Sequence, residues 1–389
     1  MHYDFFAPPQ IHFGWDRFQE AGTLAASLGS RALIISGSRS LETNGVLDEL
    51  KSLLSRAGIS SEHIRTISHE PEVTDVDQVT NILQHHTQGA GDFLIGIGGG
   101  SGIDLAKACA AMITNRESET VLDYLEGVGQ GLQLKAKPLP LMAIPTTAGT
   151  GSEATKNAVI SSYAPAFKKS LRSPEMIPDI ILCDPKLACS VPPEITARTG
   201  MDAITQLLES YISCRAQPIP RALSLQGLKL AIPALPQAVA DGNSRTGRES
   251  MAHAALLSGI ALANSGLGMA HGVAPALGTH CRIPHGLACA VMLPSTLKAN
   301  RSVCERQYAE IARHLDPVLS LSDADAADSL IQQIEALNAS IGIPATLSEL
   351  GVTSEQVPAL VADSRGNSMR GNPREISDDE LTGILQDLL

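Results

Sequence analysis

His271 and His285 sit in one stretch, AHGVAPALGTHCRIPHG, and each is followed directly by glycine. Upstream, Asp202 and Gln206 fall at i and i+4 of a predicted helix, so both project from one face. A carboxylate and two imidazoles are a plausible ligand set for a divalent cation, Fe2+ or Zn2+. The fourth position is glutamine, a neutral and weaker donor. Three readings stay open: a metal held by Asp202, His271 and His285 with Gln206 or water completing the shell, a weakly held metal, or no metal use. His280 lies in the same stretch and is a candidate for a proton-relay or ligand role, or for a purely structural one.

Two polar turns complement this cluster. GIGGGSGIDLAK, Gly96 to Lys107, follows a predicted strand and opens a helix. A helix N-terminus offers unpaired N–H groups and positive dipole, and glycines let a pyrophosphate approach the backbone. The spacing departs from Gly-x-Gly-x-x-Gly because Ser101 stands where the third glycine belongs. The second turn, PTTAGTGSE from Pro145 to Glu153, also follows a strand. Parallel sheets bind ligands at the carboxyl ends of their strands, so both turns fit one ligand, although their hydroxyls equally suit capping.

The elements that must position these groups change character along the chain. Strands are predicted at Ala32–Ser36, Ile64–Ile67, Phe93–Ile97 and Leu139–Ile144. Helices are predicted at Val46–Arg56, at Asp75–Gln88 with Thr74 as N-cap, and from the glycine turn through Met112. Such alternation means a mostly parallel sheet covered on both faces. After Pro192 the β-branched runs give way to helices near 194–214, 219–240, 248–264, 285–300, 324–340 and 377–389. Asp184-Pro185 marks the turn at which the chain changes character. The expected organisation is an α/β dinucleotide-binding domain over 1–188 and an all-α metal-binding domain over 189–389.

Composition narrows the partner. With 43% hydrophobic and 18% charged residues the chain is globular, and its length suits two domains. A net charge of −12 with no basic stripe argues against nucleic acid, and 3% aromatics leave little for base stacking. The seven cysteines are scattered, without Cys-x-x-Cys, which suits reduced thiols and a cytoplasmic location. No signal peptide or membrane span is apparent. The expected partner is a small molecule.

Taken together, GGGSGIDLAK at 98–107, PTTAGTGSE at 145–153, TGMDA at 199–203, AHG at 270–272 and PHG at 284–286 resemble the iron-containing (group III) alcohol dehydrogenase family. NPR at 372–374 is a weaker match. The resemblance implies reversible hydride transfer between an alcohol or aldehyde and NAD(P), a homo-oligomer such as a dimer, and a reaction in an interdomain cleft. It implies that Gly98, Gly99, Gly100 and Ser101, with Asp104 of the same motif, serve the cofactor. Thr146, Thr147, Thr150 and Lys168 then border its nicotinamide end. Asp202, His271 and His285 become metal ligands, Gln206 stands where the family carries histidine, and His271, His285 and His280 are the catalytic candidates. The turn Gly37-Ser38-Arg39 lacks a carboxylate for a ribose hydroxyl, and Arg39 suits a 2′-phosphate, which favours NADP and leaves NAD open. Two alternatives remain: a sugar-phosphate cyclase of the dehydroquinate synthase type, and a catalytically idle NADP-binding protein.

Overall fold

A computed structural model describes residues 2–87, 89 and 91–389. The chain divides into two units. One comprises Phe6–Thr147 with Gly151–Ala188, and the other Cys189–Leu389 with Ala148–Thr150 and a short N-terminal piece.

The first unit is the expected α/β arrangement. Its parallel sheet runs β1-β8-β5-β4-β2-β3, from β1 (Ile11–Phe13), β2 (Arg31–Gly37), β3 (Ser60–Thr66), β4 (Asp92–Gly98), β5 (Leu141–Pro145) and β8 (Ile180–Cys183). Side chains alternate across β2. Ala32 and Ile34 pack with Leu50 and Leu54 on one face, while Leu33 and Ile35 pack with Val79 and Leu83 on the other. The helices that cover these faces are α1 (Ala21–Ala25), α2 (Ser40–Thr43), α3 (Val46–Arg56), α4 (Val73–His86) and α5 (Gly100–Met112). Each buried leucine or isoleucine contributes about 1.5–3 kcal/mol, so the doubly covered sheet is the frame on which the turns are held.

Sequence expectations erred mainly at ends and at weak strands. Helix α4 starts at Val73, because the Glu72 N–H donates to Asp75 Oδ2 at 3.0 Å and moves the cap away from Thr74. The expected helix end at Gln88 lies outside the described residues. Unforeseen elements are β1, β8 and an antiparallel hairpin, β6 (Asn157–Tyr163) with β7 (Ala166–Arg172).

The strand order reverses at β2, whose neighbours are β3 and β4; such a switch point is where open α/β sheets bind ligands. Gly37 ends β2 and Gly98 ends β4, in register with each other. Gly98 has φ of +148°, and a Cβ there would lie 2.7 Å from the Gly37 Cα. A side chain is excluded on both counts.

The second unit contains α6 (Pro193–Ile212), α7 (Pro218–Ala240), α8 (Arg245–Ser265), α9 (Met269–Cys281), α10 (His285–Leu315), α11 (Asp323–Ser340), α12 (Val357–Asp363) and α13 (Asp378–Asp387). Helix α6 opens with Pro192 at the cap and Pro193 in the first turn, as its sequence leads one to expect. Helix α9 was not foreseen. Although the segment carries Gly272, Pro275 and Gly278, Ala270, Val273, Ala274, Ala276 and Leu277 are buried and hold it helical. Among the described residues, no helix is long and apolar enough to cross a membrane.

Candidate metal centre and nucleotide cradle

The cluster is built on three helices of the second unit. Asp202, Gln206 and Glu209 occupy one face of α6 at i, i+4 and i+7, and all three are buried. His271 lies in the first turn of α9, and His285 is the first residue of α10. The start of α10 reaches α6 because Gly286 has no side chain: a Cβ there would collide with the Arg198 carbonyl and lie 3.3 Å from the Asp202 Cβ.

His271 Nε2 is 3.2 Å from Asp202 Oδ1, and His285 Nε2 is 3.9 Å from the same oxygen. The two imidazoles meet edge-on, with centroids 5.4 Å apart and planes at 64°. Cys289, one turn beyond His285, completes a group whose donor atoms all lie within 4.8 Å of one another. Asp202, His271 and Cys289 are buried, whereas His285 is partly exposed, so the group is accessible on the His285 side.

Glu209 explains the orientation of His271. Its Oε2 is 2.7 Å from His271 Nδ1, and its Oε1 accepts from the Ala270 N–H at 2.7 Å. One carboxylate thus caps the start of α9 and fixes the imidazole so that Nε2 faces Asp202. Asn372 of the NPR motif adds a second cap, accepting from the Met269 N–H at 3.2 Å while paired with Asn300. Burial opposes a charge on His271. Attraction to Cys289 and hydrogen bonds to Asp202, Cys289 and Glu209 outweigh it, so the imidazole titrates well above its usual range. Burial pushes the Cys289 thiol up to about 11, against the pull of His271.

The arrangement corrects two expectations. Gln206 does not offer its oxygen to the cluster: Oε1 accepts from Ser258 Oγ at 2.6 Å, and the amide nitrogen faces the Thr150 carbonyl at 3.2 Å and Asp202 Oδ1 at 3.4 Å. Two acceptors on one side and a hydroxyl donor on the other fix that amide orientation. Gln206 braces Asp202 as a donor. His280 stands apart from the cluster, its Nε2 2.6 Å from Asp363 Oδ2. It follows His271 by nine positions on α9, roughly two and a half turns, and so projects from the opposite side of the helix.

In the α/β unit, Gly98, Gly99, Gly100 and Ser101 form the turn from β4 into α5, whose first amides point out of the helix N-terminus. The Thr146 N–H donates to the Gly98 carbonyl at 2.9 Å, and Thr147 packs against Gly99. Ser38 Oγ is 2.7 Å from Ser40 Oγ, and Arg39 is exposed. Glu42, the first carboxylate after this turn, accepts from Thr66 Oγ1 at 2.5 Å. Lys168 on β7 pairs with Glu70 at 2.7 Å.

Asp104 departs from expectation. It is buried and accepts the Val159 N–H at 3.1 Å, which ties α5 to the hairpin instead of facing the turn. Burial raises its pKa to about 6, against the opposing pull of Lys107. Lys107 is buried too, and its ammonium donates to the carbonyls of Ser152, Thr155 and Asn157 and to Thr155 Oγ1 at 2.6–2.9 Å.

Sequence reasoning missed Glu209, Cys289 and Ser258, and named Asn372 only as part of the NPR match. The i+7 spacing from Asp202 to Glu209 and the i+4 spacing from His285 to Cys289 were the available signals.

Residues 8–185 match the iron-containing alcohol dehydrogenase family, and residues 196–389 match the C-terminal region of the same family. The chain belongs to the iron-containing alcohol dehydrogenase family. It is 32% identical to the NAD-dependent methanol dehydrogenase of Bacillus methanolicus, over 99% of this chain and 100% of that one. It is 30% identical to the NADPH-dependent butanol dehydrogenase of Clostridium saccharobutylicum, over 98% and 97%. The crystal structure of a 1,3-propanediol oxidoreductase superposes with a TM-score of 0.93 at 30% identity, covering 100% of both chains. As a member of this family the chain is an NAD(P)-dependent oxidoreductase for which a divalent metal is expected. Membership does not favour the cyclase or the idle binder.

Proposed function

We propose that this dehydrogenase oxidises a primary or secondary alcohol, and reduces the matching aldehyde or ketone, with Asp202, His271 and His285 holding its divalent ion. The observation that carries the reading is the buried convergence of one carboxylate and two imidazoles, one of them oriented by Glu209. The donor set fits a divalent ion: both imidazole Nε2 atoms lie 3.2–3.9 Å from one Asp202 oxygen. Bound there, the ion supplies Lewis-acid polarisation of the alcohol or carbonyl oxygen.

The protein's own residues do the rest. Glu209 holds a proton of His271 on Nδ1, so that Nε2, once its own proton leaves, is the nitrogen that offers a lone pair. Gln206 steadies Asp202, and burial of Asp202, His271 and Cys289 excludes water from all but the His285 side. In the α/β unit, the amides after Gly98 at the α5 N-terminus suit the cofactor pyrophosphate. The roles we assign by family pattern are the nicotinamide end for Thr146, Thr147 and Thr150 and the neighbouring ribose for Lys168. Gly37, Ser38 and exposed Arg39 favour a 2′-phosphate, since Glu42 is engaged by Thr66. NADPH is therefore the preferred donor, in a homo-oligomeric protein.

A panel of aldehydes with NADPH and with NADH tests this. Steady aldehyde-dependent loss of NADPH absorbance, faster than with NADH, is the expected result. Substrate turnover without net cofactor loss would make it a cyclase, and binding without turnover an idle binder.

A further inference from the structure

Cys289 is buried on α10, one helical turn beyond His285 and on the same face. Its Sγ is 3.8 Å from His285 Nε2, and with the donors of Asp202 and His271 it closes a four-atom group within 4.8 Å. We propose that Cys289, as a thiolate, is the fourth protein ligand of the metal centre, and that this makes the site a zinc-type site. The proposal rests on the reading that Asp202, His271 and His285 hold a divalent ion.

Geometry carries it. A tetrahedron with zinc-to-nitrogen, zinc-to-oxygen and zinc-to-sulfur bonds has edges of roughly 3.3–3.7 Å between donors. Three of the six donor separations are 3.2 Å from His271 to Asp202, 3.9 Å from His285 to Asp202 and 3.8 Å from Cys289 to His285, and all six lie within 4.8 Å. Gln206 cannot fill the same corner while its oxygen accepts from Ser258 and its amide nitrogen faces Asp202. The donor that α6 lacks is thus supplied by α10.

The chemistry agrees. Asp202 and a thiolate would place two negative charges in direct contact with the ion, while Glu209 acts through His271. Sulfur is a soft ligand and shifts selectivity toward zinc in a tetrahedral site with imidazole. On binding, the S–H bond breaks, its proton leaves to solvent, and the sulfur lone pair forms the bond to the metal without any change of oxidation state. The partly exposed edge at His285 is where a further donor is admitted.

Cobalt substitution decides the question. Chelated protein is reloaded with Co2+, and near-ultraviolet absorption is read for a thiolate-to-cobalt charge-transfer band. The wild-type protein is expected to show the band. Cys289→Ser is expected to bind cobalt without it, to release about one proton fewer per ion bound, and to bind zinc at least 10- to 100-fold more weakly. If the variant does not fold, the wild-type spectrum decides alone. A wild-type protein that binds cobalt with no thiolate band, and loses it on His271→Ala, overturns the Cys289 assignment and leaves the three-ligand reading standing. If His271→Ala also keeps its cobalt, the underlying reading fails with it.

Discussion

In the α/β unit, the ammonium of Lys107 sits among four oxygen acceptors at 2.6–2.9 Å, whereas in the helical unit the imidazole of His271 lies between the carboxylates of Asp202 and Glu209 at 3.2 and 2.7 Å. Both regions bury carboxylates: Asp104 and Glu153 in the first, Asp202 and Glu209 in the second. The first is satisfied by a cation covalently attached to the chain, so its geometry is complete and its role is to hold α5 against β6 and the turn before it. The second relies on a proton on His271 to offset its carboxylates, and a proton is exchangeable for a metal ion. A polar nest closed by its own lysine is scaffold, while one closed by an exchangeable cation is a site.

Removing the built-in cation is expected to have the largest effect. Lys107→Met should cost about 3–5 kcal/mol, because it strands the acceptors and leaves Asp104 and Glu153 uncompensated. Denaturant unfolding would show this, and a loss below about 1 kcal/mol would mean that the nest is wetter than its burial indicates.

Glu209→Gln is next. It should weaken metal binding by roughly 10- to 100-fold, since His271 loses its orienting anion. Titration with a competing chelator would measure it, and unchanged affinity would reduce Glu209 to a helix cap. Gln206→Ala should leave the metal content unchanged while costing about 1–2 kcal/mol of stability from the lost Ser258 and Thr150 bonds. Loss of metal in that variant would restore glutamine as a ligand.

The smallest effect is a pH slope. Burial raises Glu153 to about 7, with its own backbone N–H and Lys107 opposing. The folded protein therefore keeps a proton that the unfolded chain has lost, and stability falls as pH rises from about 4.5 to 7. Glu153→Gln should flatten part of that slope in thermal melts taken across this window, leaving the share due to Asp104. An unchanged slope would place the titration elsewhere.

The sequence made the central sheet legible because β2, β4 and β5 are unbroken apolar runs buried on both faces. It hid β1 and β8, which are short, and α9, whose glycines and proline weaken a helical pattern. Asp202, His271 and His285 were legible because their residue types declare their chemistry. Glu209 and Cys289 were not: a glutamate two turns along a helix resembles a solvated face, and a lone cysteine resembles core. Only the convergence of α6, α9 and α10 gives them a role. Gln206 misled for the opposite reason. Its place on α6 matches a ligand, but Thr150 and Ser258 dictate the orientation of its amide.

The most direct test of the account is metal content and alcohol turnover measured together in wild type and in His271→Ala. One divalent ion per wild-type chain is expected, with loss of both the ion and turnover in the variant while its fold persists. A His271→Ala protein that retained both would contradict it.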